Sequence, residues 1–362
     1  MKSFHHAIAI AILLVAGSIS ARAESVSIIV ESNASPRIEF AADQLSRTLK
    51  AAGLTVKNTR DATTQSDHLI VIAHAGQKIA AVQKLVSTGL LKTDPASLPA
   101  EGFVVGSWGQ GKILAVLSQD DSGLLYGSLE LAQRIRESRK LPDDFEFADH
   151  PAMTLRGTCI GMQKTFILPG RKVYEYPYTP ELFPWFYDKK LWTDYLDFLA
   201  ANRMNTLYLW SGHPFASLVR LKDYPYAVEV PDDVFAQNQE QFRWLAQECD
   251  RRGIWLVQMF YNIFVSKPFA ETNHISTQLS EPNPLVADYT RKSIAEFVKQ
   301  YPNVGLMLCL GEALRGTTNQ IEWATKTVLP GVLDGMKAAG LKQQPPVVIR
   351  THAMDPYAIM PS

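Results

Sequence analysis

Along residues 24–150 the hydrophobic pattern switches repeatedly between short apolar runs and longer amphipathic segments. The apolar runs predict strands at Val26–Val30, His68–Ala73, Phe103–Ser107 and Lys112–Leu117. The amphipathic segments carry apolar residues at helical spacing and predict helices at Pro36–Ala52, Ile79–Val86 and Gly123–Arg136. This pattern is typical of a small α+β domain.

The rhythm changes after Pro142–Pro151, a polar, acidic stretch between two prolines that predicts a linker. Residues 151–362 then alternate regularly between strands and long helices. The predicted strands are Thr154–Ile160, Asn205–Trp210, Ile254–Tyr261, Val304–Leu310 and Val347–Thr351. The predicted helices are Trp192–Arg203, Gln239–Arg252, Pro284–Tyr301 and Ile321–Ala339, the last kinked at Pro330. Such alternation indicates βαβ units and a parallel sheet.

Polar residues decide between a barrel and an open doubly wound sheet, because both fit the alternation. They follow the carboxyl ends of the predicted strands, at Gln163, Lys164, His213, Asn262, Glu312, His352 and Asp355. A TIM barrel places its active site at that end, and no Rossmann fingerprint occupies any strand–helix turn. The predicted fold class is therefore α/β, with a small N-terminal α+β domain followed by an incomplete (β/α) TIM-like barrel of about five strands.

The N-terminal residues resemble a secretory signal peptide. Lys2 precedes the apolar run Ala7–Gly17, and Ala21-Arg22-Ala23 fits the small-x-small rule for signal peptidase. The interpretation divides the chain into a signal peptide at 1–23, an α/β domain at 24–150 and a partial barrel at 151–362. It predicts export to the periplasm or the cell exterior; an uncleaved N-terminal anchor is the alternative. No later segment is apolar enough to predict a membrane span.

The amino-acid composition limits the classes of partner and cofactor that the chain is expected to bind. Lys plus Arg and Asp plus Glu balance at 36 each, and the basic stripe of a nucleic-acid-binding protein is absent. Cys159, Cys249 and Cys309 leave at least one thiol unpaired in a monomer, and Cys159 and Cys309 lie in apolar runs where free cysteine is a small buried residue. No Cys/His cluster has zinc spacing. The sequence therefore predicts neither a metal site nor a cofactor.

Several short motifs resemble glycoside hydrolases of the α-glucuronidase and β-hexosaminidase type. In the N-terminal domain these are Ile38–Leu45 and Ser122–Leu131, the second with a G-x-x-Y-G helix start; in the barrel they are Arg156-Gly157 and Asn202–Leu207. In these enzymes a small non-catalytic α/β domain precedes the catalytic barrel. The resemblance implies that Glu312, at the end of the fourth barrel strand, is the general acid. The second carboxylate of these enzymes comes from later strands, so the chain resembles a barrel truncated at its C-terminus.

Six further residues near strand ends are predicted to bind substrate. They are Trp210, His213, Tyr261, Asn262, Arg350 and His352. Trp210 and Tyr261 either offer faces on which sugar rings stack or are ordinary core residues, and His213 either binds substrate or is a loop histidine bonded to backbone. Arg350 is the preferred partner for a uronate carboxylate, ahead of Lys164 and Arg171. The first strand–helix loop adds aromatic residues that form either a sugar platform or packing over the barrel mouth: Tyr174, Tyr176, Tyr178, Trp185, Phe186 and Tyr187.

The leading hypothesis is an exported, α-glucuronidase-like glycoside hydrolase that acts on oligosaccharides derived from polysaccharides. Its partner is then an oligosaccharide or polysaccharide, not a nucleic acid. Because hydrolysis needs a second carboxylate, a catalytically incomplete carbohydrate-binding protein and a fragment of a longer glycosidase are the alternatives. Asp355 is the remaining candidate beyond the fifth strand, although a turn before Pro356 is the favoured explanation for it.

Overall fold

A computed structural model describes residues 24–61, 64–261 and 263–359. The predicted signal peptide lies outside this part. The first sheet, here called sheet A, has six strands in the order β2-β1-β3-β5-β4-β6. They are β1 Ser25–Val30, β2 Thr55–Thr59, β3 His68–His74, β4 Phe103–Trp108, β5 Ile113–Ser118 and β6 Phe145–Asp149. Strands β4 and β5 pair antiparallel around the Gly-rich turn, as their sequence predicts.

Three helices cover sheet A: α1 Pro36–Ala51, α2 Ala80–Ser87 and α3 Asp121–Ser138. Helices α1 and α3 pack on one face of the sheet and α2 on the other, so both faces are buried. The G-x-x-Y-G motif has a packing reason. A Cβ on Gly123 would lie 2.0 Å from the Ser118 hydroxyl, and one on Gly127 would lie 2.5 Å from Val116. Glycine at these two positions lets α3 approach β5 closely.

The predicted linker at Pro142–Pro151 is wrong in part. Residues Phe145–Asp149 form β6, which pairs antiparallel with β4 and closes one edge of sheet A. Strand β2 at the other edge was also missed. Both strands are polar and partly exposed, because each has solvent on one side, and their pairing depends on residues far away in sequence.

Sheet B has five strands, all parallel, in the order β11-β10-β9-β8-β7. They are β7 Gly157–Gly161, β8 Thr206–Trp210, β9 Trp255–Tyr261, β10 Val304–Cys309 and β11 Val347–Arg350. The strands lie next to each other in sequence order, as in a β/α barrel, and the sheet is open at β7 and β11. The predicted fold, a small N-terminal domain followed by an incomplete TIM-like barrel, is confirmed.

Most helices of this second part pack against one face of sheet B. They are α4 Lys189–Ala201, α5 Phe215–Leu218, α6 Asp232–Arg251, α7 Lys267–Thr272, α8 Pro284–Gln300, α9 Thr317–Trp323, α10 Leu329–Ala339 and α11 Pro356–Ile359. A π-helical turn at Ala324–Val328 joins α9 to α10 immediately before Pro330. Proline has no amide hydrogen to donate, which explains why the helical hydrogen-bond pattern is interrupted here. The predicted kink at Pro330 is therefore a π-helical turn just before it.

Ion pairs made by arginine side chains connect the N-terminal domain, which contains sheet A, to the part that contains sheet B. Arg156 donates to Glu101 at 2.7 Å, Arg203 donates to Asp149 at 2.6 Å, and Arg37 pairs with Asp250 at 3.0 Å. Both barrel motifs that resemble glycoside hydrolases therefore contain an arginine that pairs with the N-terminal domain.

Candidate active site

The candidate site lies at the carboxyl end of sheet B, where β10 and β11 leave the sheet side by side. Glu312 follows β10 with a left-handed backbone, φ +64°. The preceding residue must be glycine, because a Cβ on Gly311 would lie 2.1 Å from the His352 carbonyl oxygen. This close contact between the two loops brings Glu312 to the residues that follow β11.

Glu312 shares one carboxylate oxygen between two basic groups. Its Oε1 atom is 2.9 Å from Nε2 of His352 and 3.6 Å from a guanidinium nitrogen of Arg350. The same nitrogen is 3.5 Å from the Tyr261 hydroxyl and 3.8 Å from Sγ of Cys309. About a third of the Glu312 and Arg350 side chains is exposed. The cluster is therefore open to a ligand that approaches the mouth of the sheet.

Aromatic rings form a wall beside this cluster. Tyr261 stacks on Phe264 with ring centroids 4.9 Å apart and planes 10° apart, and the Trp210 ring lies 6.2 Å from that of Tyr261. Burial and the neighbouring Glu312 carboxylate raise the pKa of Tyr261 to about 12. The Tyr261 hydroxyl therefore remains a hydrogen-bond donor at neutral pH.

Four of the seven predicted site residues meet in this cluster, namely Tyr261, Glu312, Arg350 and His352, and Trp210 joins its wall. His213 does not join it: the side chain is buried, and Nε2 lies 2.8 Å from the hydroxyl of Tyr289. Burial first, and then the charge of Arg171, lowers the pKa of His213 to about 3, which keeps the imidazole neutral. Asn262 lies outside the described residues.

The loop between β7 and α4 is mainly packing. Tyr176, Tyr178 and Phe186 are buried in the core of the second part, whereas Tyr174 is half-exposed. Arg171, considered above as a uronate partner, is buried and paired with two glutamates. Cys159 on β7 is exposed, contrary to prediction, because it belongs to the edge strand of an open sheet.

A separate cavity of about 490 Å³ lies between the domains, near the amino end of β7. Its charged groups are already paired: Arg156 binds Glu101, and Arg203 binds Asp149. The cavity is at the opposite end of the strand from Glu312, so it is not the candidate active site. Within the described ranges, no cluster of His, Cys, Asp or Glu could hold a metal ion, and no helix is long and apolar enough to span a membrane.

This arrangement has counterparts among known proteins. The sequence profile described as "Glycosyl hydrolase family 67 N-terminus" matches residues 15–131. A GH138 enzyme targeting pectin rhamnogalacturonan II is 43% identical with a TM-score of 0.81, over 93% of this chain and 46% of that chain. The predicted resemblance is confirmed. The chain is related to glycoside hydrolases that carry an N-terminal domain and a barrel-like domain.

More distant glycoside hydrolase structures share the fold alone. The protein named CpGH84D is 13% identical with a TM-score of 0.57, over 90% of this chain and 46% of that chain. A mutant Streptomyces plicatus β-hexosaminidase with bound GlcNAc is 14% identical with a TM-score of 0.54, over 89% and 60% of the two chains. The chain thus spans about half the length of these relatives. No curated protein matches it.

Proposed function

We propose that this chain is part of an exported glycoside hydrolase, in which Glu312 is the general acid and the substrate is an acidic oligosaccharide derived from pectin. One observation carries the proposal: Glu312 lies at the carboxyl end of β10 with Arg350, His352 and Tyr261 around its carboxylate. The relative that is 43% identical targets pectin rhamnogalacturonan II, which suggests the substrate class. The predicted signal peptide supports export.

The chemistry assigns a role to each group. A protonated Glu312 donates its proton to the leaving glycosidic oxygen. Arg350 binds the carboxylate of a uronate residue through charge-assisted hydrogen bonds. Because Arg350 contacts Glu312 in the structure, a bound uronate would compete for its guanidinium and free Glu312 to face the substrate. Tyr261 and Trp210 supply stacking faces for the sugar rings.

Two uronate specificities are compatible with Arg350. The α-glucuronidase-like specificity rests on the resemblance of short motifs, whereas the pectin specificity rests on the 43% identical relative. We place the pectin substrate first, because that match extends over 93% of this chain, whereas the motifs are short. Both require the same positive charge, so a panel of substrates separates them and a single mutation does not.

A second candidate function is carbohydrate binding without hydrolysis. Hydrolysis needs two carboxyl groups that flank the scissile bond. Asp355, the acidic residue that follows β11, has Oδ1 engaged at 3.0 Å by the amide of Tyr357 at the start of α11. This capping role favours a chain that holds one catalytic carboxyl group and binds sugar.

The test is a comparison of wild-type protein with Glu312→Gln on three substrates: rhamnogalacturonan II oligosaccharides, glucuronoxylan fragments and neutral aryl glycosides. Hydrolysis of the first that falls by about 10²–10⁴-fold in the variant supports the proposal. Preference for glucuronoxylan would favour the α-glucuronidase-like specificity. Saturable binding without product, measured by calorimetry, would establish the binding function, and neither binding nor hydrolysis would refute both.

A further inference from the structure

Three charged side chains are buried together under the loops that frame the candidate site. The side chains of Arg171, Glu175 and Glu229 are 4%, 0% and 8% exposed. Arg171 donates one guanidinium nitrogen to Glu175 at 3.0 Å and another to Glu229. Because Glu229 is 58 positions from Arg171, the contact ties the loop after β7 to the segment after β8.

The charges of this cluster do not balance when both glutamates are ionised. Two carboxylates then face one guanidinium, and Oε1 of Glu175 is buried without a hydrogen-bond partner. A buried charge without compensation is costly, so such groups take up a proton instead. Burial, opposed by Arg171 and reinforced by Glu229, raises the pKa of Glu175 to about 8. Burial also raises the pKa of Glu229.

The neighbouring elements offer little further positive charge. From α7, Lys267 donates its backbone amide to Glu229, and its positive charge also lowers the pKa of Glu229, against the larger effect of burial; its ammonium group lies 3.7 Å from Glu271. From the segment after β8, His213 is neutral for the reasons given above. From α8, burial raises the pKa of Tyr289, so its hydroxyl is also neutral. One proton is therefore the simplest means of balancing the cluster.

The cluster lies close to the wall of the candidate site, on the other side of Gly212. A Cβ on Gly212 would lie 3.0 Å from Cγ of Glu175 and 3.3 Å from the ring of Phe264. The Gly212 carbonyl accepts a hydrogen bond of 3.0 Å from the amide of Tyr261. A movement of Glu175 would therefore be transmitted through Gly212 to the two aromatic residues beside Glu312.

We propose that Arg171, Glu175 and Glu229 form a proton-binding clamp that positions the loops at the mouth of sheet B. When Glu175 carries the proton, the guanidinium balances the one remaining carboxylate, and the loops are held. When the proton leaves to solvent, a second negative charge stays buried and the loops loosen. Glu175 and Arg171 are positioning residues, since they act on the site through Gly212 and Tyr261.

The direction of the pH effect follows from linkage. The folded-state pKa of Glu175 lies above the value of 4.5 for a free side chain, so the folded protein retains a proton that the unfolded chain has lost. The contribution of the clamp to stability is therefore complete below about pH 4.5 and falls as the pH rises to about 8. Above that pH the penalty is constant.

The experiment measures thermal unfolding and hydrogen exchange of the full chain between roughly pH 6 and pH 9. We expect the Tm of the wild type to fall and, after correction for intrinsic rates, peptides from residues 162–188 and 211–230 to exchange faster at the higher pH. Glu175→Gln replaces the protonated acid by a neutral amide and should abolish both changes. The matched control is Glu240→Gln, at an exposed glutamate paired with Lys189, which should behave as the wild type does.

Identical pH dependence in the wild type and Glu175→Gln would overturn the proposal. If that variant does not fold, the wild type alone decides. The infrared C=O band of a protonated carboxylic acid should be present near pH 6 and lost by about pH 9, and its absence at the lower pH would also overturn the proposal. Neither measurement uses a sugar, so failure of the clamp and failure of the proposed function are distinguishable.

Discussion

The two sheets of this protein differ in the polarity of their edge strands. The edge strands of sheet A, β2 and β6, have the sequences TVKNT and FEFAD, in which Lys57 and Asn58 are exposed and Glu146 and Asp149 are partly exposed. The edge strand β11 of sheet B has the sequence VVIR, and its Ile349 is 37% exposed. Polar edges protect a sheet from pairing with other strands, whereas an apolar edge does not. Polar residues thus protect both edges of sheet A, whereas the β11 edge of sheet B lacks this protection.

The helices that flank sheet B show the same difference. Leu191 and Phe198 are exposed on α4, beside β7, and Leu329 and Leu333 are exposed on α10, between β10 and β11. In a closed barrel, neighbouring strands and helices bury such positions. Both faces of sheet A are covered by its own helices. The N-terminal domain therefore contains its own core, while the barrel half exposes positions that a complete barrel buries.

The largest expected effect comes from separating the two regions. We expect residues 24–150 alone to unfold in one cooperative transition, because sheet A and its helices bury a continuous core. We expect residues 151–362 alone to lack such a transition and to bind a hydrophobic dye, because the sheet is open. Urea unfolding followed by circular dichroism measures the transition of each piece, and dye fluorescence measures the exposed apolar surface. Cooperative unfolding of the second piece together with an unfolded first piece would reverse the comparison.

The next largest effect compares the centre of sheet B with its edge. Leu308 on β10 is 1% exposed, and the neighbouring Ile349 on β11 is 37% exposed. We expect Leu308→Ala to lower the free energy of unfolding by about 2–5 kcal/mol, because it leaves a cavity. Ile349→Ala should cost less than about 1 kcal/mol, since more than a third of the residue is already in contact with water. Equal costs in urea titrations would mean that the edge is covered in solution.

Much of this architecture could be predicted from the sequence, for a physical reason. Central strands such as β9 and β10 are continuous apolar runs, because helices cover one side and strands flank both edges. Edge strands lack that signal. Strand β6 lies in a polar stretch between prolines, and its pairing with β4 is decided by residues about 40 positions away. Local patterns do not contain this information.

Like the fold, the candidate site could be predicted only in part from the sequence. Parallel strands place their carboxyl ends together, so the proximity of Glu312, Arg350 and His352 follows from strand order alone. The cluster of Arg171 with Glu175 and Glu229 was missed. Charged residues in a loop usually face solvent, and the contact with Glu229 spans 58 positions. Only packing reveals that the three side chains are buried.

A third effect concerns His213, a buried histidine next to sheet B, compared with the exposed His150 near sheet A. The pKa of His213 in the folded protein is about 3, below the usual 6.5. Its neutral form therefore stabilises the fold fully above pH 6.5, and this contribution is lost as the pH falls towards 3. One proton per molecule corresponds to about 2 kcal/mol between roughly pH 6.5 and pH 5.

The variants His213→Gln and His150→Gln check this expectation. The first should flatten the dependence of the unfolding free energy on pH in the acid range, whatever its stability at neutral pH. The second should leave the slope as it is in the wild type. An unchanged slope in His213→Gln would show that the histidine is reached by water or protons in the folded protein, and that the loops over the mouth are looser than the structure indicates.

The smallest expected effect tests the exposed face of α10. Leu333 is 58% exposed, and the adjacent Val332 is 1% exposed. We expect Leu333→Glu to change the free energy of unfolding by less than about 0.5 kcal/mol, because the side chain has few partners to lose. It should also reduce self-association in sedimentation velocity, since it places a charge in an apolar surface. Val332→Ala is the control, and it should destabilise the protein by about 1 kcal/mol or more without affecting association. A large loss of stability in Leu333→Glu would instead show that another surface covers this helix in solution. The exposed face of α10 would then not distinguish sheet B from sheet A in the assembled protein.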